Sequence, residues 1–170
     1  MYTQGHLSLT LGAPTLGPRF RGDDDMVGEM PRVYAALLEP EPEGGFTVTF
    51  PDIGYGATYG TTWDEALRQA EDMLEEAVLG MIAHNEDVPV PLPAKGRPVV
   101  RLPALTAAKL ELYRAMRQAG LDGAQLAARL GWPPEKVAHI FDGYHAVGLE
   151  QLEAALAALG RRFVVTSEPA

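Results

Sequence analysis

The sequence has no cysteine among its 170 residues. It therefore has no disulfide framework, no thiolate metal site and no cysteine nucleophile. Histidine is scarce: His6, His84, His139 and His145 are the only four. Their spacing suggests neither a zinc site nor a catalytic triad, so surface and capping roles are expected for them. No apolar run approaches the ~18 residues that a membrane-spanning helix needs. The N-terminus lacks the basic segment followed by an apolar core that marks a secretory leader, so a cytoplasmic location is expected. Basic residues are also few, 14 against 23 acidic ones, and the formal net charge is −9. Taken as an average, that charge argues against nucleic-acid binding. What the chain does have is apolar residues, 46% of the total, enough to bury a core.

The average charge hides an asymmetry. Residues 1–31 carry a net −2, residues 32–90 a net −10 and residues 91–170 a net +3. Segments of opposite sign suggest modules with different partners. The acidic one suits a basic partner, and the C-terminal one can approach a phosphate backbone. A solvated acidic helix face is the plainer account of the same residues.

Residues 1–31 are rich in glycine and proline, contain Asp23-Asp24-Asp25 and lack periodicity; a flexible extension is expected there. Residues 33–39 read as a mostly buried strand, and Phe46, Val48 and Phe50 alternate with two threonines in a second. Gly44 and Gly45 supply the positive φ angles of a hairpin turn between them. A short third strand is expected at residues 57–59. A long helix follows, with Thr62 and Glu65 spaced as a capping box. Trp63, Ala66, Leu67, Ala70, Met73, Leu74, Ala77, Val78, Met81 and Ile82 form its apolar stripe. Pro89, Pro91, Pro93 and Pro98 stiffen a linker or edge segment, and residues 99–102 offer a fourth strand. Thr106 is expected to cap a helix that Gly120 stops. Asp122 with Gln125 caps a second helix ended by Gly131, Pro133-Pro134 open a third, and Leu149, Leu152, Leu156 and Leu159 mark a fourth. Residues 161–166 read as a terminal strand that offers a dimer contact.

The stretch from Gln125 to Gly143 has a specific logic. Ala127 is small where two helices would cross, Gly131 turns the chain, and Val137 and Ile140 anchor the second helix on the first. This is the spacing of a helix-turn-helix. Residues 106–160 resemble the repressor-type family often called XRE-like. The resemblance implies that Pro134, Glu135, Ala138 and His139 face base edges and that Gln125 and Lys136 lie near phosphates. Glutamate, proline and alanine offer bases few donors, and glutamate accepts only from cytosine N4.

Phe50-Pro51-Asp52, a glycine-rich stretch, then Gly60-x-Thr62-x-x-Glu65-Ala66 before an acidic helix resembles the HicB antitoxins over residues 33–103. The resemblance implies a degenerate RNase H-like domain that covers a small basic mRNA-cleaving HicA-like toxin. It also implies a C-terminal operator-binding module that represses the protein's own operon. The candidate toxin contacts are Glu39, Glu41, Glu43 and Asp52, with Tyr55 and Tyr59 as apolar anchors. Sheet packing is the competing role for both tyrosines.

An enzyme is not expected. An RNase H-type nuclease needs carboxylates converging on two metal ions, and residues 33–38 contain none. Asp52 follows a strand, where a turn-forming aspartate is the commoner role. No cofactor or metal is implied.

The expected fold class is thus α+β. A small sheet packed on a long helix spans residues 32–90, a Pro-rich linker or edge strand 91–104, and an all-α helix-turn-helix domain 105–170. A homodimer or higher homo-oligomer is expected, because such domains read paired half-sites. The alternative is a stand-alone helix-turn-helix regulator whose N-terminal domain senses a ligand or protein.

Overall fold

The computed structural model describes residues 33–143, 145–162 and 164. The extension expected at residues 1–31 lies outside them. The described residues belong to one compact unit, Pro31–Ala170.

The strand read from residues 33–39 is two strands. β1 (Val33–Ala35) pairs antiparallel with β5 (Val99–Arg101), with Tyr34 opposite Val100. β2 (Leu37–Pro40) pairs instead with β3 (Phe46–Thr49), which pairs with β4 (Thr58–Gly60), giving a separate antiparallel sheet. Ala36 is the switch point. It is buried, and its N–H donates to the Pro98 carbonyl at 2.9 Å, so the backbone stays satisfied where it changes partner. The hydrophobic pattern runs unbroken through Ala36 because both halves face one core, which is why a single strand is what the sequence suggests.

The β2–β3 turn needs its glycines. Gly45 has φ +84°, and a Cβ there would strike the Tyr59 hydroxyl. β4 lies one residue beyond its expected place and ends on Gly60, where a Cβ would run into the Glu65–Ala66 backbone. That close approach seats the first turn of α1 (Trp63–Ala83) on the sheet. Thr62 caps α1 by accepting the Glu65 N–H at 3.2 Å. The expected reciprocal half of the capping box falls one residue earlier. The Glu65 carboxylate takes the Thr61 N–H, at 2.9 Å, and the Thr61 hydroxyl.

The α1 stripe buries Ala66, Ala70, Leu74, Val78, Met81 and Ile82. Trp63 lies at its margin, largely exposed, edge-on to Phe46 with ring centroids 5.5 Å apart. With Tyr34, Val48, Phe50, Ile53 and Val100 the buried residues of the stripe form one core cluster. Burying one such large side chain contributes about 1.5–3 kcal/mol.

Four helices follow: α2 (Ala104–Gln118), α3 (Gly123–Leu130), α4 (Pro134–Phe141) and α5 (Leu149–Ala158). Their second cluster comprises Leu112, Met116, Leu126, Ala127, Val137, Ile140, Leu152 and Leu156 among others. Leu110 and Tyr113 of α2 belong to the first cluster, while Phe141 packs against both. Thr106 is not the cap of α2. The helix starts after Pro103, and Thr106 is buried within it, its hydroxyl donating to the Glu75 carboxylate of α1. Arg161, Arg162 and Val164 are not in a strand; the other residues of that expected strand, Phe163 and Val165-Thr166, lie outside the described residues.

Candidate functional site

Two surfaces carry the residues singled out from the sequence. The first is the acidic half. Glu39 on β2 and Glu41 and Glu43 in the following turn are exposed. Glu41 accepts the Thr47 hydroxyl at 2.5 Å, which orients it across the hairpin. Asp52 is set apart from these: its carboxylate accepts the Leu92 N–H at 3.0 Å and ties the Pro-rich segment to the turn after β3. Tyr59 donates to the Gly44 carbonyl at 2.8 Å and Tyr55 to the Ala77 carbonyl at 3.3 Å. Both rings remain about half exposed, 47% and 50%, so neither is core packing. Tyr59 braces the hairpin and Tyr55 lies against α1. Partial burial raises the Tyr55 phenol above its ordinary pKa, and the nearby Glu86 carboxylate pushes the same way.

On α1 itself Asp64, Glu71, Asp72 and Glu76 are exposed. Glu65 and Glu75 are committed to Thr61 and Thr106. The hydroxyl and N–H of Thr61 hold the Glu65 carboxyl below the usual range. Among the described residues no group of three or more His, Asp or Glu side chains is placed to hold a metal ion.

The second surface is the pair α3–α4. Asp122 and Gln125 form the expected capping box: the Gln125 N–H donates to Asp122 at 2.8 Å, and the Asp122 N–H donates to the Gln125 side chain at 2.9 Å. Gln125 is therefore spent on the α3 N-terminus, though it stays exposed. Gly131 ends α3 with φ +65°, and the Trp132 N–H donates to the Ala127 carbonyl at 2.9 Å. Ala127, Val137 and Ile140 are buried where the helices meet. Pro134, Glu135, Ala138 and His139 are exposed along α4. Lys136 lies with its ammonium 3.9 Å from the centroid of the Trp132 ring. His139 stacks on His145 with centroids 4.0 Å apart, and His145 Nδ1 is 2.6 Å from Asp142.

Lys109 is a buried polar residue that the sequence reading does not single out. It is 3% exposed, and its ammonium donates to the Asp142 carbonyl at 2.9 Å, just past the end of α4. Burial lowers its pKa, against the opposing pull of Asp142 and Glu75. With Thr106 and Glu75 it forms a polar junction between α1, α2 and α4. A signal existed: Lys109 interrupts the apolar run Ala107-Ala108-Lys109-Leu110 on the inward side of α2.

Residues 33–111 match a family model described as the HicB-like antitoxin of bacterial toxin–antitoxin systems. Antitoxin HicB of Escherichia coli (strain K12) is 33% identical over 129 residues, covering 75% of this chain and 94% of the relative. Antitoxin HicB 1 of Photorhabdus laumondii subsp. laumondii is 34% identical over 135 residues, 79% of this chain and 86% of the relative. Antitoxin HicB of Pseudomonas fluorescens (strain Pf0-1) is 33% identical over 147 residues, 85% of this chain and all of the relative.

Proposed function

The chain belongs to the HicB family of bacterial antitoxins, which is not a family of enzymes, and from that premise we propose that its acidic half neutralises a small basic HicA-like mRNA-cleaving toxin. The observation that carries the reading is the exposed carboxylate surface of the hairpin and α1: Glu39, Glu41, Glu43, Asp64, Glu71, Asp72 and Glu76. A protein that grips RNA presents a basic face, and such a surface steers it in and competes with the phosphates for it. Tyr55 and Tyr59 supply half-exposed aromatic anchors beside it. Asp52 contributes indirectly, by holding the Pro-rich segment. We read residues 32–90 as a degenerate RNase H-like domain. The buried positions Tyr34, Ala35 and Ala36 carry no carboxylate, which supports loss of any nuclease activity. The test is co-expression with a small basic HicA-like toxin. Growth rescue and a co-purifying complex are expected; metal-dependent RNA cleavage by this chain alone would overturn the reading.

The same protein, in this proposal, represses its own operon through residues 105–170 as a homodimer or higher homo-oligomer. The α3–α4 pair serves as the helix-turn-helix, with Pro134, Glu135, Ala138 and His139 toward base edges. Gln125 and Lys136 lie toward phosphates. The exposed row on α4 and the αL turn at Gly131 support this assignment. Lys136→Ala is expected to weaken operator binding across sequences and to lower the salt slope by about one. A gel shift identical to wild type would remove α4 as the reader.

A further inference from the structure

A groove of about 610 Å³ opens between the turn at Tyr55-Gly56 and the C-terminal half of α1. Tyr55, Met73 and Ala77 make its apolar walls, Gly80 its floor, and Glu76 and Glu86 its acidic rim. We propose that this groove receives one lysine or arginine side chain of a basic protein partner. The proposal rests on the reading of the acidic half as the grip on a basic toxin, and it names one place where that grip takes hold of a side chain.

Four observations carry it. The lining suits a long cationic side chain: apolar walls for the methylene stem, an aromatic ring, and carboxylates where the charged head would emerge. The carboxylates of Glu76 and Glu86 are exposed, and neither is committed to a hydrogen bond or ion pair among the described residues. Among the described residues no lysine or arginine lines the groove, though His84 does, its ring Nδ1 2.8 Å from the Gly80 carbonyl.

Gly80 is the second observation. It lies inside α1, where glycine is costly because it gives up the most backbone freedom. Nothing among the described residues requires it, since a Cβ at that position would meet none of their atoms within 4 Å. Gly56, across the groove, differs: its φ of +81° needs glycine for the turn. The bare strip at Gly80 clears space that the described residues leave unfilled.

Third, the groove lies at the carbonyl end of α1, whose last turn contains no lysine or arginine and whose C-cap is His84. The negative pole of the helix dipole, of which the Gly80 carbonyl is met by the His84 ring at 2.8 Å, adds to the two carboxylates. Arg117 of α2 takes the Asn85 carbonyl at 3.1 Å and Asp87 at 2.8 Å, and it does not line the groove. Fourth, the Tyr55 wall is already positioned by its hydroxyl on the Ala77 carbonyl, so little ordering remains for a partner to impose.

The test uses the full chain and the co-expressed toxin, with two variants. Gly80→Gln fills the floor with a good helix former. It is expected to melt no lower than wild type yet to bind the toxin at least about tenfold more weakly, opposite signs that a folding defect would not give. Glu76→Gln with Glu86→Gln is expected to weaken binding about fivefold or more and to reduce its salt dependence. If wild type binds the toxin and both variants bind as tightly, the groove assignment falls while the antitoxin reading stands. If Gly80→Gln weakens binding but the charge variant does not, the occupant is not cationic and the proposal is wrong. If Gly80→Gln disrupts self-association and leaves toxin affinity intact, the groove belongs to a second copy of this chain, which also overturns it. Failure of wild type to bind the toxin at all would instead overturn the underlying function.

Discussion

Glu65 shows how much one side chain is asked to do. Its backbone N–H reaches Thr62, while its carboxylate holds the hydroxyl and N–H of Thr61, so three hydrogen bonds seal the start of α1. The Thr61 hydroxyl is the main reason that its carboxyl stays below the ordinary value of 4.5. A folded-state pKa below the unfolded one gives stability that is present above 4.5 and lost as pH falls through the folded value. Glu65→Gln should therefore flatten the acid limb of the stability profile. Thermal melts taken from neutral pH to below 4.5 should show a shallower fall in Tm than wild type; parallel profiles would contradict the assignment. The side-chain pairing was half legible: Thr-x-x-Glu announced the cap, but not that the carboxylate would choose Thr61. Lys109 was less legible, because an isolated lysine in an apolar run has no local partner. Its partners, the Asp142 carbonyl and Glu75, come from elsewhere in the chain.

At the scale of elements, the junction of β4 with α1 is the tightest point in the acidic half. Gly60 sits against the Glu65–Ala66 backbone, and backbone cannot move aside as a flexible side chain can. Gly60→Ala is expected to cost about 3 kcal/mol or more. Urea unfolding would read this as a lower midpoint with an unchanged m-value, and a midpoint equal to wild type would show that α1 can slide on the sheet. The helices were the most legible elements, since their caps and stripes are local: Thr62 and Asp122 start α1 and α3 where the sequence placed them, and Gly131 ends α3 in the αL conformation. The start of α2 was misplaced because Thr106 has the chemistry of a cap. Tertiary packing gives its hydroxyl the partly buried Glu75 carboxylate instead. The split of β1 from β2 at Ala36 had no local signal at all, because the residue that takes its N–H is Pro98.

For the whole molecule, what matters is how the two core clusters meet. Phe141 packs against both, and its ring is edge-on to Tyr113 with centroids 6.2 Å apart. Tyr113 in turn donates to the Glu86 carbonyl at 2.8 Å beyond the end of α1. Phe141→Ala opens a void shared by both clusters. It is expected to cost about 2–4 kcal/mol, a little below the range for a fully buried phenylalanine because Phe141 is half-buried. Since residues 31–170 form one unit, wild type should unfold in one cooperative transition. Calorimetry showing two resolved transitions in wild type would mean that the clusters are energetically independent. Charge also acts at this scale. The acidic surface is spread over the hairpin and α1, whereas the residues proposed to meet DNA lie on α3 and α4, so a single net charge describes neither.

The sequence by itself determined the features whose causes are local: the capped helices, the αL stop at Gly131, the glycine hairpin, the apolar stripe of α1 and the acidic excess of residues 32–90. It also carried the Phe-Pro-Asp and Gly-x-Thr-x-x-Glu-Ala motifs, on which the resemblance to the family rests. Only the tertiary structure decided which strand Ala36 leaves and which it joins, and that Asp52 holds Leu92 rather than facing outward. It also decided that Thr106 and Lys109 meet Glu75 and the Asp142 carbonyl, and that Gly80 floors a groove. The reason is the same in each case. A hydrogen-bond cap or an amphipathic stripe is satisfied within a few turns of chain, but a buried polar group or an empty space is defined by neighbours tens of residues away.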